Sequence, residues 1–244
     1  MDRIFSLCSV IVQFFVKLRK AFAIDSRTAM SIQEKNVTYT TQNTYATLNK
    51  LTPNTKHVWL VFHGIGYLSR YFLKHFSHLN PDENYIIAPQ APSKYYLKNE
   101  YKYVGASWLT KENTSMETEN VMSYLNQVCS SENVLSHSNL IVFGFSQGVS
   151  IALRWMARNK VQPRILALYA GGIPNELNDS HFSYLDHSKV NVKSIYGDKD
   201  PFLNQERLHT EKEKLTLLFK NNFEVEEFDG GHEIKTELIT DLVQ

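Results

Sequence analysis

Apolar positions along this chain follow two periods that take turns. Short unbroken runs have the length and β-branched or aromatic content of strands buried on both faces: His57 to Phe62, Tyr85 to Ile87, Leu140 to Phe143 and Ile165 to Tyr169; Val190 to Tyr196, with polar residues among its apolar ones, reads as a further strand. Between them, apolar residues recur at helical spacing. These segments are Ser69 to His78, one with Val121, Leu125 and Val128, one from Val149 to Asn159 with Ala152, Leu153 and Met156, and Gln205 to Lys220. Thr114-x-x-Glu117 reads as a capping box opening the second of these helices. A last alternating run, Phe223 to Phe228, precedes a closing helix. Upstream, Val37, Tyr39 and Thr41 alternate, Gln42-Asn43 turns, and Tyr45 and Thr47 alternate again, which predicts an antiparallel pair within Asn36 to Leu51. Strands and helices alternating from residue 57 onward imply an α/β fold: a mostly parallel central sheet, helices on both faces and an antiparallel N-terminal strand pair. The connection from 91 to 110 is long, and Tyr95, Tyr96, Tyr101, Tyr103 and Trp108 argue against disorder there.

At 244 residues the chain suits one large domain, expected over 31–244 without a large cap. A formal net charge of +1 with no basic stripe or acidic tail excludes a nucleic-acid footprint. Cys8 and Cys129 stand far apart, giving neither a disulfide framework nor metal-ligand spacing, and a reducing, cytoplasmic setting fits. There is no dinucleotide fingerprint, P-loop or His/Cys/carboxylate cluster, so no cofactor and no metal is expected. Residues 1–30 read as a separate leader. Ile4 to Val16 is mostly apolar and is followed by Lys17-Leu18-Arg19-Lys20, too short a run to span a bilayer. Three readings stand open: a dispensable extension with Met30 as the functional start, a membrane-surface segment over residues 4–20, or an export signal.

The chemistry centres on Leu140 to Gly148, where four apolar residues run into Gly144-Phe145-Ser146-Gln147-Gly148 and then a helix. Strand, sharp turn and helix around Gly-x-Ser-x-Gly would lift the Ser146 hydroxyl above the strand end. A serine alone is a poor nucleophile and needs a base, itself oriented by a carboxylate. His232, in the glycine turn after the last strand, is the candidate base. The acid is Asp200 or Asp198, with Asp200 preferred because it lies deeper in its loop and Asp198 suits the turn itself. Two N–H donors are needed for an oxyanion: Gln147, next to the serine, and Ile65, in His63-Gly64-Ile65-Gly66 after the first buried strand. His63 suits a structural role in that loop. All these motifs sit at carboxyl ends of strands, where ligands bind in parallel sheets.

Together with Ala88-Pro89-Gln90-Ala91-Pro92, Ser107-Trp108 and Gly197-Asp198-Lys199-Asp200-Pro201, these blocks and their spacing resemble the phospholipase/carboxylesterase family of α/β-hydrolases, which includes the acyl-protein thioesterases, over about residues 57 to 244. The resemblance implies the α/β-hydrolase fold, oxyanion donors at Ile65 and Gln147, and Trp108 lining an acyl pocket. The chain departs from the family's pattern at Tyr67 to Tyr71, at Val149 where thioesterases often have glycine, and in its tyrosine-rich 91–108 segment. Those departures favour a small-ester carboxylesterase, with an acyl-thioesterase or lysophospholipase as the alternative. A non-catalytic ligand-binding α/β-hydrolase is the reading from a different class. The expected partner is a small-molecule ester or acyl-thioester, and the expected assembly a monomer or homodimer.

Overall fold

The computed structural model describes residues 32–98 and 101–244; the expected leader, with its apolar and basic segment at 4–20, lies outside them. The fold lies within Gln42–Gln244. Its strands are β1 (Tyr45–Leu48), β2 (His57–Phe62), β3 (Asn84–Pro89), β4 (Ser93–Leu97), β5 (Tyr103–Ser107), β6 (Leu140–Phe145), β7 (Ile165–Tyr169), β8 (Asn191–Gly197) and β9 (Glu224–Phe228). Its α-helices are α1 (Ser69–Phe72), α2 (Thr114–Ser131), α3 (Gln147–Asn159), α4 (Gln205–Phe219) and α5 (Thr236–Thr240).

Seven strands form one sheet in the order β1-β3-β2-β6-β7-β8-β9. Every neighbouring pair is parallel except β1 on β3. The period of two sorts the strand residues cleanly. Val58, Leu60 and Phe62 of β2 and Val142 of β6 pack with α2, α3 and α4 on one face. Trp59 and Val61, with Ile141, Phe143 and Phe145, pack with Phe72, Phe76 and Ile239 on the other. Two buried faces explain why these strands read as continuous apolar runs rather than alternating ones. Each large side chain so buried contributes about 1.5–3 kcal/mol.

Three local expectations are corrected. The strand at Val37 to Thr41 does not form: Val37 and Tyr39 are 84% and 77% exposed, so the alternation has no face to bury. β1 takes its antiparallel partner from the sheet, with Tyr45 opposite Pro89. The connection after residue 91 contains a two-stranded hairpin, Ser93 opposite Ser107, whose mostly exposed β4 left no hydrophobic pattern to read. The capping box before α2 is absent; Thr114 Oγ1 donates to the Thr110 carbonyl instead.

Candidate active site

β2 and β6 lie side by side, but the chain leaves β2 toward β3 and β1 and leaves β6 toward β7, β8 and β9. Adjacent loops that depart in opposite directions open a crevice at the strands' carboxyl ends. The loops meeting there are 63–66 after β2, the turn at Ser146 after β6, 170–172 after β7, 198–204 after β8 and 229–235 after β9.

Ser146 occupies the turn between β6 and α3 at φ 53°, ψ −121°. That region costs a non-glycine residue about 1–3 kcal/mol and persists only where the surroundings impose it. The imposition is visible. The Ser146 N–H donates to the Tyr169 carbonyl at 2.8 Å. A Cβ on Gly148 would stand 2.0 Å from the Phe62 carbonyl oxygen, and one on Gly144 would stand 2.6 Å from Val149 Cα. Only glycines at both flanks let strand, helix and neighbouring strand close around the serine. The loop after β2 presses on the same spot, since a Cβ at Gly64 would lie 3.0 Å from Ser146 Cβ.

Across the crevice, His232 Nε2 lies 2.9 Å from Ser146 Oγ, and His232 Nδ1 lies 2.6 Å from Asp200 Oδ2. The Asp200 side chain is wholly buried while His232 retains some exposure. A carboxylate accepts, so Nδ1 carries the ring proton and Nε2 is left to accept from the serine hydroxyl. Asp200 is itself held, its Oδ1 accepting from the Phe202 N–H at 2.9 Å. The imidazole is flanked by Phe145 and Phe202, with ring centroids 5.1 Å and 4.9 Å away. Asp198 faces elsewhere: its Oδ1 accepts from the Gly230 N–H at 2.9 Å and ties the β8 loop to the β9 loop. Lys235 N–H, donating to the Tyr169 hydroxyl at 2.9 Å, holds the far end of the His232 loop. The structure thus brings Ser146, Asp200 and His232 together and leaves Asp198 in the turn. Cys129 offers no competing nucleophile, because burial pushes its thiol up to about 12.

The Ile65 side takes its shape from His63. This imidazole is fully buried, its Nδ1 2.8 Å from the Gly64 carbonyl while its Nε2 accepts from the Ala91 N–H at 3.1 Å. The second bond makes Nε2 the unprotonated nitrogen, so Nδ1–H donates to Gly64. Burial lowers the His63 pKa to about 4. Trp108 corrects the expectation of an acyl-pocket wall. It is fully buried, its Nε1–H donates to the His63 carbonyl at 2.8 Å, and its ring packs on that imidazole at 5.0 Å. It lies beneath the 63–66 loop rather than in the cleft lining. Sequence reading also missed the side chain of Gln147, whose Oε1 accepts from the Trp108 N–H (2.9 Å) and whose Nε2 donates to the Leu109 carbonyl (2.7 Å). Gln147 therefore locks the 107–109 segment against α3, a pairing across 39 residues that no local pattern announces.

The resulting cleft measures about 780 Å³. Ser146, His232, Ile65 and Gln147 all line it, with Phe202 and Ile65 exposed at its lip. As the first residue of α3, Gln147 has an N–H with no intrahelical acceptor. The Ile65 N–H has no hydrogen-bond partner among the described residues, while Gly66 and Tyr67 on its C-terminal side are bonded to Ala106 and Gly64. Among the described residues no cluster of His, Cys, Asp and Glu could hold a metal ion, and no helix is long and apolar enough to cross a membrane.

The sheet order, the helices on both faces and a serine at the β6–α3 turn define an α/β-hydrolase. Residues 43–244 match the phospholipase/carboxylesterase family, and the chain belongs to it. It is therefore a hydrolase of the phospholipase/carboxylesterase type. Solved structures agree on the fold. Acyl-protein thioesterase 2 of Zea mays is 15% identical with a TM-score of 0.62, covering 82% of this chain and 96% of its own. A phospholipase/carboxylesterase from Dyadobacter fermentans is 20% identical with a TM-score of 0.60 (84% and 98%), and a Bacillus cereus carboxylesterase is 17% identical with a TM-score of 0.58 (82% and 91%). No curated protein matches the sequence.

Proposed function

We propose that the chain hydrolyses small carboxylic esters through an acyl-enzyme formed on Ser146. The observation that carries this reading is the continuous line of contacts Ser146 Oγ, His232 Nε2, His232 Nδ1, Asp200 Oδ2 at 2.9 and 2.6 Å. His232 takes the serine proton as Oγ forms a bond to the ester carbonyl carbon. Asp200 holds the tautomer and stabilises the imidazolium. The carbonyl oxygen becomes an oxyanion and accepts from the N–H groups of Ile65 and Gln147. Collapse breaks the bond to the leaving alcohol, which takes the proton from His232. Water, deprotonated by the same imidazole, then attacks the acyl-serine, and a second collapse releases the acid and restores Ser146. Trp108 and His63 have no part in proton transfer; buried beneath the loop, they set the height at which Ile65 stands.

A thioester passes through the same tetrahedral intermediate, and one of the fold neighbours is an acyl-protein thioesterase. Rates on matched acyl-thioesters, lysolipids and short esters separate these substrate classes. Ser146→Ala tests the reading itself. It is expected to abolish both hydrolysis of short p-nitrophenyl esters and labelling by a fluorophosphonate, and undiminished hydrolysis would sink the proposal. A protein that binds a small ligand but resists labelling in its unmutated form would instead favour the non-catalytic reading.

A further inference from the structure

One cation lines the cleft. Its lining contains no Asp or Glu, and Arg207, in the first turn of α4, is its single Arg or Lys among the described residues. Arg207 Nη2 pairs with Glu211 Oε1 at 2.7 Å. Glu211 is buried; its Oε2 accepts from the Ile173 N–H at 2.7 Å, and Lys214 Nζ stands 3.6 Å from Oε1. Two cations thus share one carboxylate, leaving the cluster net positive. Lys214 turns to the Ile173 carbonyl and Asn175, with a side chain only 18% exposed, whereas the Arg207 side chain is 45% exposed. Its Nε and Nη1 donors take no protein acceptor among the described residues.

Two adjacent glycines join this guanidinium to the reacting serine. A Cβ on Gly172 would lie 2.2 Å from Arg207 Nη2, and a Cβ on Gly171 would lie 2.3 Å from the Ser146 carbonyl oxygen. With one peptide step between them, the guanidinium stands no more than about 11 Å from that oxygen. The absence of a side chain at residue 172 is what admits it.

We propose that Arg207 forms a carboxylate subsite, and that the preferred substrates are esters or thioesters bearing a carboxylate a few bonds from the scissile carbonyl. The proposal rests on Ser146 acting as the nucleophile. The guanidinium fork matches a carboxylate, and its anchorage on Glu211 lowers the ordering cost of binding. A wholly neutral ester would leave these donors unpaired in the occupied cleft.

The test compares kcat/KM for mono-p-nitrophenyl glutarate against p-nitrophenyl valerate, and for 4-acetoxybenzoate against phenyl acetate, which place the carboxylate on the acyl and alcohol sides. Arg207→Gln is expected to lower the charged-to-neutral ratio of at least one pair about 10- to 100-fold. Arg207→Lys should retain part of the preference, and rising salt should shrink it in the unmutated chain. Ratios unaffected by Arg207→Gln in both pairs would overturn the subsite. Should Arg207→Gln fail to fold, competitive inhibition of neutral-ester hydrolysis by glutarate decides, and its absence counts against the proposal. Calorimetric binding of glutarate to the unmutated and Ser146→Ala chains reads the subsite without chemistry. Binding by a chain that hydrolyses none of these esters overturns the serine-nucleophile reading and upholds the subsite, whereas failure to bind overturns the subsite.

Discussion

Buried beneath the loop that carries Ile65, the imidazole of His63 must stay neutral to accept from Ala91 and donate to Gly64. Its pKa falls from the ordinary 6.5 to about 4 through burial. Between those values the unfolded chain binds a proton that the folded chain refuses, so stability falls as pH drops from about 6.5 through 4. The full loss is about 3 kcal/mol at one pKa unit per ~1.4 kcal/mol. His63→Gln, which cannot titrate, should show a lower melting temperature at pH 7 but a flatter decline between pH 6.5 and 4; parallel declines would remove His63 as the cause. The two loop carboxylates differ in the partner each holds, His232 for Asp200 and Gly230 for Asp198. Asp200→Asn should lower kcat by on the order of 10³–10⁴, because the amide can present a donor to Nδ1 and favour the wrong tautomer. Asp198→Asn keeps an amide oxygen that can accept from the Gly230 N–H, so it should cost less than about 1 kcal/mol of stability and reduce kcat far less. Steady-state kinetics giving the opposite ranking would exchange their roles.

At the scale of elements, the β6–Ser146–α3 unit stores strain that its neighbours sustain. Gly148→Ala would drive a methyl to within 2.0 Å of the Phe62 carbonyl, a backbone atom that cannot swing aside. Destabilisation of about 1–3 kcal/mol or more is expected, with loss of esterase activity exceeding the loss of folded protein in a urea titration. The strand–turn–helix order here was readable from residues alone, since a buried strand, two glycines and an amphipathic helix are all local patterns. The β4–β5 hairpin was not: β4 is mostly exposed, and β5 buries only small residues around Ala106, so periodicity had nothing to register. Trp108 shows a different limit. An indole under a loop and one in a pocket wall have the same sequence signature, and only packing against His63 distinguishes them.

Across the whole molecule, sheet order places five loops at one crevice. Among the described residues all nine strands lie within Gln42–Gln244, so a chain lacking residues 1–30 is expected to stay soluble and hydrolyse p-nitrophenyl esters at the full rate. Loss of either property would make the leader part of the working protein. By itself, the sequence determined the α/β class, the run of buried strands and the strand-end positions of Ser146, Asp200 and His232, because hydrophobic period and glycine punctuation are local properties. Tertiary structure alone decided which edge of the sheet β1 joins and which of two acids meets the histidine. It also set Gln147 against residues 107–109 and drew Arg207 to the same cleft as Ser146. Each of those depends on groups far apart in the chain whose meeting is set by strand order and side-chain packing, and neither is encoded in the spacing of residues.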